Sequence, residues 1–299
     1  MAPELYQLDH SLFEFNPTPL DLVIPVLEKD LDVLPYVVNS ARSKILHPID
    51  EIYIVSPNNK LIREFCLHHS CKFIDEDTIL PITKHDIDYT VPPGWKWEGI
   101  TYDEPKNRSG WLFQQFIKLS GDHLCSNNYY LVLDSDTVFL QPHVFIFDNK
   151  EVLYCPDVKG THRPIFKLLK LLLGHKAVAP VSLISHHMLF HSPKVRLLKE
   201  KIEKRFNKPW YQVILDHIDK TDIFSFSEFE TYGNFLLKDF PHSIILADGK
   251  NSYMKQWEID DIDKFDLDEL SKKYKTMSFH SHSRKNSSIL LDEYRPYPQ

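Results

Sequence analysis

Glycine is scarce, eight residues in 299, and none of them composes a GxGxxG or GxxxxGK[ST] run, so neither glycine-rich phosphate loop is present. Cysteine is scarcer still. Cys66, Cys71, Cys125 and Cys155 stand apart without a CxxC pair, which speaks against a zinc-finger type site and a disulfide framework; reduced thiols and a cytoplasmic setting are expected. No run of eighteen apolar residues occurs, and the opening residues 1–10 have neither a basic nor an apolar signal-type region, so a secreted or membrane-spanning chain is not expected. Basic charge is short as well. With 35 Lys and Arg against 42 Asp and Glu, a formal net of −7, nucleic acid is not expected as a partner.

What is present is ordinary globular material, 42% hydrophobic, enough for one large core, and we expect a single domain over residues 1–299. Residues 20–27, 51–56 and 72–75 read as strands, separated by helical spacing over 31–46 and 59–69; this alternation predicts an α/β fold with a parallel sheet and right-handed crossovers. Residues 76–108 read as irregular, and a loop of that length in a compact domain is more often functional than idle.

The most informative run is 129–140, an apolar and β-branched strand that meets Asp134 and Asp136 one residue apart. Open α/β sheets bind ligands where such strands end, and side chains at i and i+2 of an extended segment share a face, so both carboxylates can hold one divalent ion against a nucleotide diphosphate. On the helix expected from 109 to 119, Trp111, Gln115 and Lys118 share the polar face, and with Arg108 at its start they can line the same site. Adjacent strand residues point oppositely, so of His186 and His187 one is free to bond a polyhydroxylated ligand. Ser227 reads as the N-cap of a helix whose first turn holds two candidate catalytic carboxylates, Glu228 and Glu230: Glu230 also fits a capping box, and Glu228, without that role, reads as a base kept ionised by the helix dipole. His280 and His282 are spaced to share a face and complete an ion's shell, with Arg284 and Lys285 close behind for a diphosphate. Residues 163–176 combine a narrow basic stripe with a broad apolar surface, which suits either a buried helix or one lying on an anionic membrane surface.

Together the first βα units, Asp134-Ser135-Asp136 and His280-Ser281-His282 resemble a GT-A type glycosyltransferase. The runs 108–118, 185–190 and 227–235 are similar to those of a little-characterised family of glycosyltransferase-like proteins linked to bacterial surface polysaccharides. The resemblance implies a GT-A, Rossmann-like α/β fold: a mostly parallel central sheet flanked by helices, with 20–140 the nucleotide-sugar half and 141–299 the acceptor half carrying a C-terminal metal-site segment. It implies Mn2+ or Mg2+ on Asp134, Asp136 and His280 or His282, with Asp134 also free to bond a donor ribose. A UDP-sugar is the implied donor, and a saccharide or glycolipid the implied acceptor. Glu228 is implied as the base of an inverting transfer, although Phe229 stands where inverting members carry a second acid. Two other readings use the same acids: a nucleotidyltransferase or phosphotransferase, which would want a third carboxylate near the pair and a glycine-rich loop, and a Ca2+-dependent sugar-binding protein.

Overall fold

Strand β1 (Leu20–Pro25) is buried from end to end, in a computed structural model that describes residues 14–280 except 98, 161, 256, 257, 260, 261, 263 and 264. Helix α1 (Leu34–Lys44), β2 (Ile49–Ser56), α2 (Lys60–His68) and β3 (Lys72–Asp75) follow in the expected alternation. Asn59 caps α2 by accepting from the backbone N–H groups of Leu61 and Ile62. Residues 76–108 are more ordered than expected, with β4 (Thr90–Val91), β5 (Trp95–Trp97), β6 (Ile100–Tyr102) and β7 (Lys106–Asn107) pairing as β4 with β7 and β5 with β6.

Then come α3 (Ser109–Leu119), the single turn α4 (Gly121–Leu124), β8 (Tyr129–Leu133), β9 (Thr137–Phe139), β10 (Ile146–Phe147), β11 (Lys150–Cys155) and α5 (Arg163–Leu173). The later half holds β12 (His187–His191), α6 (Ser192–Phe206), α7 (Trp210–His217), α8 (Glu228–Asp239), β13 (Ile244–Asp248), β14 (Asn251–Lys255), α9 (Leu267–Lys273) and β15 (Thr276–His280). The central sheet has the order β12-β8-β1-β2-β3; β1, β2, β3 and β8 run parallel and the edge strand β12 runs antiparallel to β8. Two three-stranded sheets, β10-β11-β13 and β14-β15-β9, complete the larger framework.

The central strands are mostly apolar because both of their faces are covered. Val23 of β1 with Tyr130 and Val132 of β8 packs into one core against α3 and α5 to α8, while Leu22, Ile24, Leu131 and Leu133 pack into another against α1 and α2. The start of β8 is fixed by a buried acid: Asp21 accepts from the backbone N–H groups of Ser126 and Asn127, each at 2.9 Å, and from Asn127 Nδ2 at 3.0 Å.

Three boundary expectations change. The strand expected over 129–140 breaks at a turn closed by Thr137 N–H donating to Asp134 O, which sends β8 and β9 into different sheets. The strand expected over 181–190 is confined to β12. Helix α5 stops at Leu173 because Gly174, at φ +80°, adopts a left-handed cap. Of the two alternatives for residues 163–176, the fold has the buried helix: Ile165, Leu168, Leu169, Leu172 and Leu173 lie in the core and Arg163, Lys167 and Lys170 face outward. Among the described residues no helix is long and apolar enough to cross a membrane.

Two stability predictions follow from this framework. A Cβ on Gly121 would lie 2.3 Å from the ring of Tyr130, which is fully buried and stacked on Phe190, so Gly121→Ala should destabilise the fold by roughly 1–3 kcal/mol in urea denaturation. His47 Nε2 accepts from Phe145 N–H at 2.9 Å and so requires the neutral ring; burial pushes its pKa down to about 4, opposed by the Thr18 carbonyl. Because the folded pKa lies below the ordinary value of 6.5, stability is full above 6.5 and is lost as pH falls from there through about 4, by roughly 3 kcal/mol. A His47→Gln chain should show a correspondingly shallower fall in urea midpoint over that window.

Candidate metal centre

The turn between β8 and β9 carries Asp134 and Asp136, and the β8–β12 ladder brings His186 to it, with Asp134 N–H donating to His186 O at 2.9 Å. One ligand atom each from Asp134, Asp136 and His186 lie within 4.8 Å of one another. His186 Nδ1 is 3.5 Å from Asp134 Oδ2, and His280 Nδ1, at the end of β15, is 3.2 Å from Asp136 Oδ2. The two carboxylates are 26% and 24% exposed, so a ligand from solvent can reach them.

The other Asp134 oxygen is committed. Lys118 of α3 is buried and places Nζ 2.8 Å from Asp134 Oδ1 and 3.0 Å from Glu228 Oε1. Burial would raise the Asp134 carboxyl, yet Lys118 and His186 outweigh it and hold the group well below the usual carboxylate range. For Lys118 the balance runs the same way: burial favours the neutral amine, but Asp134 and Glu228 together hold it above the usual lysine range. Burial pushes Glu228 above the ordinary carboxylate range, with Lys118 pulling it back only in part. One ammonium is thus shared by two carboxylates, Asp134 and Glu228, while Asp136 brings a further acid to the other side of Asp134, and this local excess of acids favours a divalent cation.

The donor set fits such an ion. Two carboxylates and an imidazole are donors that a divalent ion takes, and the turn that presents the two acids is pinned from both sides. Ser135 Oγ donates to Asp30 Oδ2 at 2.9 Å, and the same oxygen accepts from Leu27 N–H, so the turn is tied to the segment after β1. On the other side Phe279 N–H donates to Asp136 O and Thr137 Oγ1 meets Ser278 Oγ at 2.7 Å.

The remaining candidates separate. His186, expected on the acceptor side, belongs to the acidic cluster. His187 faces the other way, buried among Phe139, His143, Phe145 and Tyr154, and burial pushes its pKa down to about 3; this neutral core ring has no route to an acceptor. Glu230 is buried with its carboxylate filled: Oε1 accepts from Ser182 Oγ and Leu183 N–H, Oε2 from Asn234 Nδ2, so it braces the 182–183 segment and has no open face for catalysis. Glu228 is turned inward to Lys118 with 3% of its side chain exposed. On α3 the expected donor-lining face is largely consumed: Arg108 stacks on Trp111 and Phe224 and donates to Ile223 O, and Gln115 is buried and donates to Trp111 O. Of that face Lys118 alone pairs with Asp134. His282, Arg284 and Lys285 lie outside the described residues.

Sequence reading missed Asp30 and Tyr253. Asp30 carried a faint signal, an acid just beyond the first buried strand. Tyr253 lies inside a short strand without periodicity, and its hydroxyl is 3.4 Å from His186 Nε2.

A mostly parallel α/β sheet with an acidic turn at the end of a central strand, met by a histidine from beside the edge strand, is thus the class that fold and site define. The chain belongs to a family of unknown function, DUF6492, which it matches over residues 19–276. No curated protein matches it. Among solved structures it is similar to mouse xyloside xylosyltransferase 1 in its apo form, at 11% identity and a TM-score of 0.47, with 88% of this chain and 98% of the other covered. It is also similar to the apo form of the bifunctional glycosyltransferase WbbM, at 12% identity and a TM-score of 0.44, with 91% of this chain and 47% of the other covered.

Lys118→Met leaves Asp134 and Glu228 facing each other without their shared cation. It should cost on the order of 3–5 kcal/mol of unfolding free energy by denaturant titration, several times the effect of removing an exposed pair such as Lys204–Glu200.

Proposed function

We propose that this chain is a metal-dependent glycosyltransferase, moving a sugar from a nucleotide diphosphate donor, with UDP-sugar the first choice, to a saccharide or glycolipid acceptor. The observation that carries the reading is the Asp134, Asp136 and His186 cluster at the carboxyl end of β8. In the central sheet β2 and β3 extend from one side of β1 and β8 lies on the other, so the strand order reverses at β1. Open α/β sheets take nucleotides in the crevice at that reversal, and the cluster stands beside it.

Asp134, Asp136 and His186 would hold the ion, with His280 against Asp136. When bound, a divalent cation supplies positive charge against a departing diphosphate. The chain's own residues do the rest of the preparation. Lys118 keeps Asp134 ionised and turns its second oxygen toward His186, Glu228 holds Lys118 from behind, and Asp30 fixes Ser135 so that the two acids keep their relative direction. Surface polysaccharide or glycan synthesis is the setting this chemistry fits.

Titration calorimetry tests the reading. The parent chain should bind UDP only with Mn2+ or Mg2+ present, and Asp136→Ala should weaken that binding and lower sugar release from a nucleotide-sugar panel by about 100-fold or more, with its denaturation midpoint nearly unchanged. UDP binding that ignores the metal, or an Asp136→Ala chain that works at the parental rate, rejects the proposal.

A further inference from the structure

The cluster is assembled from separate parts of the chain: Asp134 and Asp136 from the β8–β9 turn, His186 from the residue ahead of β12, His280 from the end of β15. Tyr253, on β14, contacts both imidazoles. Its hydroxyl is 3.4 Å from His186 Nε2; its ring stacks on His280 with centroids 5.4 Å apart and planes at 22°, and meets the His186 ring at 5.5 Å. The two imidazoles are themselves 5.8 Å apart.

The strand that carries Tyr253 is tied to its neighbour by its ladder and by side chains. β14 runs parallel to β15 with Tyr253 opposite Ser278, and Asn251, on the same face two residues earlier, accepts from Thr276 Oγ1 at 2.7 Å and from Ser278 Oγ at 3.2 Å. Ser278 in turn meets Thr137 beside Asp136. The tyrosine is therefore referenced through one hydrogen-bonded row to the acid it serves.

The chemistry of the hydroxyl matters as much as its position. A neutral imidazole carries one N–H. With Nδ1 facing Asp134 Oδ2, the ring without an ion is best served by Nδ1–H donating to that carboxylate, leaving Nε2 to accept from the tyrosine O–H. To ligate through Nδ1 the ring must carry its proton on Nε2, and the same hydroxyl then accepts from Nε2–H. A phenolic hydroxyl does both; a purely donating or purely accepting group would oppose one of the two states.

We infer that Tyr253 is the positioning residue of this centre, its hydroxyl setting the ligating tautomer of His186 while its ring holds His280 beside Asp136. The inference rests on reading the Asp134, Asp136 and His186 group as a metal site.

The test uses the full chain and Mn2+ alone. Calorimetric titration should give a dissociation constant about 10-fold or more weaker for Tyr253→Phe and weaker again for Tyr253→Leu, with thermal midpoints close to the parent's. With histidine labelled in 15N and Zn2+ as a diamagnetic stand-in, the parent's His186 should change from an Nδ1–H to an Nε2–H ring as the ion binds, and the Tyr253→Phe chain should show a mixture. Equal Mn2+ affinities in the parent and Tyr253→Phe overturn the role of Tyr253 and leave the metal reading standing. A parent chain that takes up no Mn2+ overturns both.

Discussion

A lysine with almost no access to water, shared between two carboxylates, is the constraint on which this molecule turns. An unpaired ammonium in such a place would cost several kcal/mol, so Lys118 can be buried only while Asp134 and Glu228 stay within reach. The three residues come from α3, the end of β8 and the first turn of α8, and their mutual requirement fixes how those elements meet. Around the ions the packing is apolar: Phe229 lies under the lysine, and Phe116 and Phe226 close the space between the two helices. Apolar burial supplies the general attraction between helix and sheet, but it is tolerant of small shifts. The ion triad is not, and so it sets the register.

That register has a chemical consequence. By taking Oδ1 of Asp134, Lys118 leaves Oδ2 to face His186, and the turn presents one oxygen of Asp134 together with Asp136 and an imidazole nitrogen. The acid is then held ionised against burial, whereas a carboxylate buried alone would take up a proton and lose its value to a cation. Glu228 contributes at one remove. Placed in the first turn of α8 behind the Ser227 cap, it has the helix dipole in its favour and returns that stability to Lys118.

Much of this was legible in the sequence. The alternation of βα units, the buried strand ending in Asp134 and Asp136, and the N-cap at Ser227 all depend on short-range rules of spacing and capping, and the fold follows them. What could not be read are the choices made by a partner far along the chain. Lys118 sits on the polar side of its own helix, which normally means solvent, and only α8 arriving more than a hundred residues later turns that side inward. Alternation said that His186 and His187 point opposite ways; which one meets the acids depended on β12 pairing antiparallel to β8 with His187 opposite Leu133, a long-range register. Helix α5 stayed open for the converse reason, since a basic stripe on an apolar helix looks the same whether its apolar side meets lipid or, as here, α7 and α8.

The centre is also built from parts of unequal firmness. Asp134, Lys118 and Glu228 lie where the central sheet meets α3 and α8, with both cores packed around β8. Asp136, His280 and Tyr253 depend on β14-β15-β9, a small sheet in which β9 spans three residues and every residue of β14 is only half-buried. Local opening costs least where few buried contacts must be given up, so half-buried β14 can loosen while the triad, and β9 and β15 in the second core, stay closed. An ion that fixes His186 and the acids also fixes the rings that Tyr253 packs against. Binding at this site and the ordering of β14 would then be coupled, because the half-buried strand meets the centre through that tyrosine.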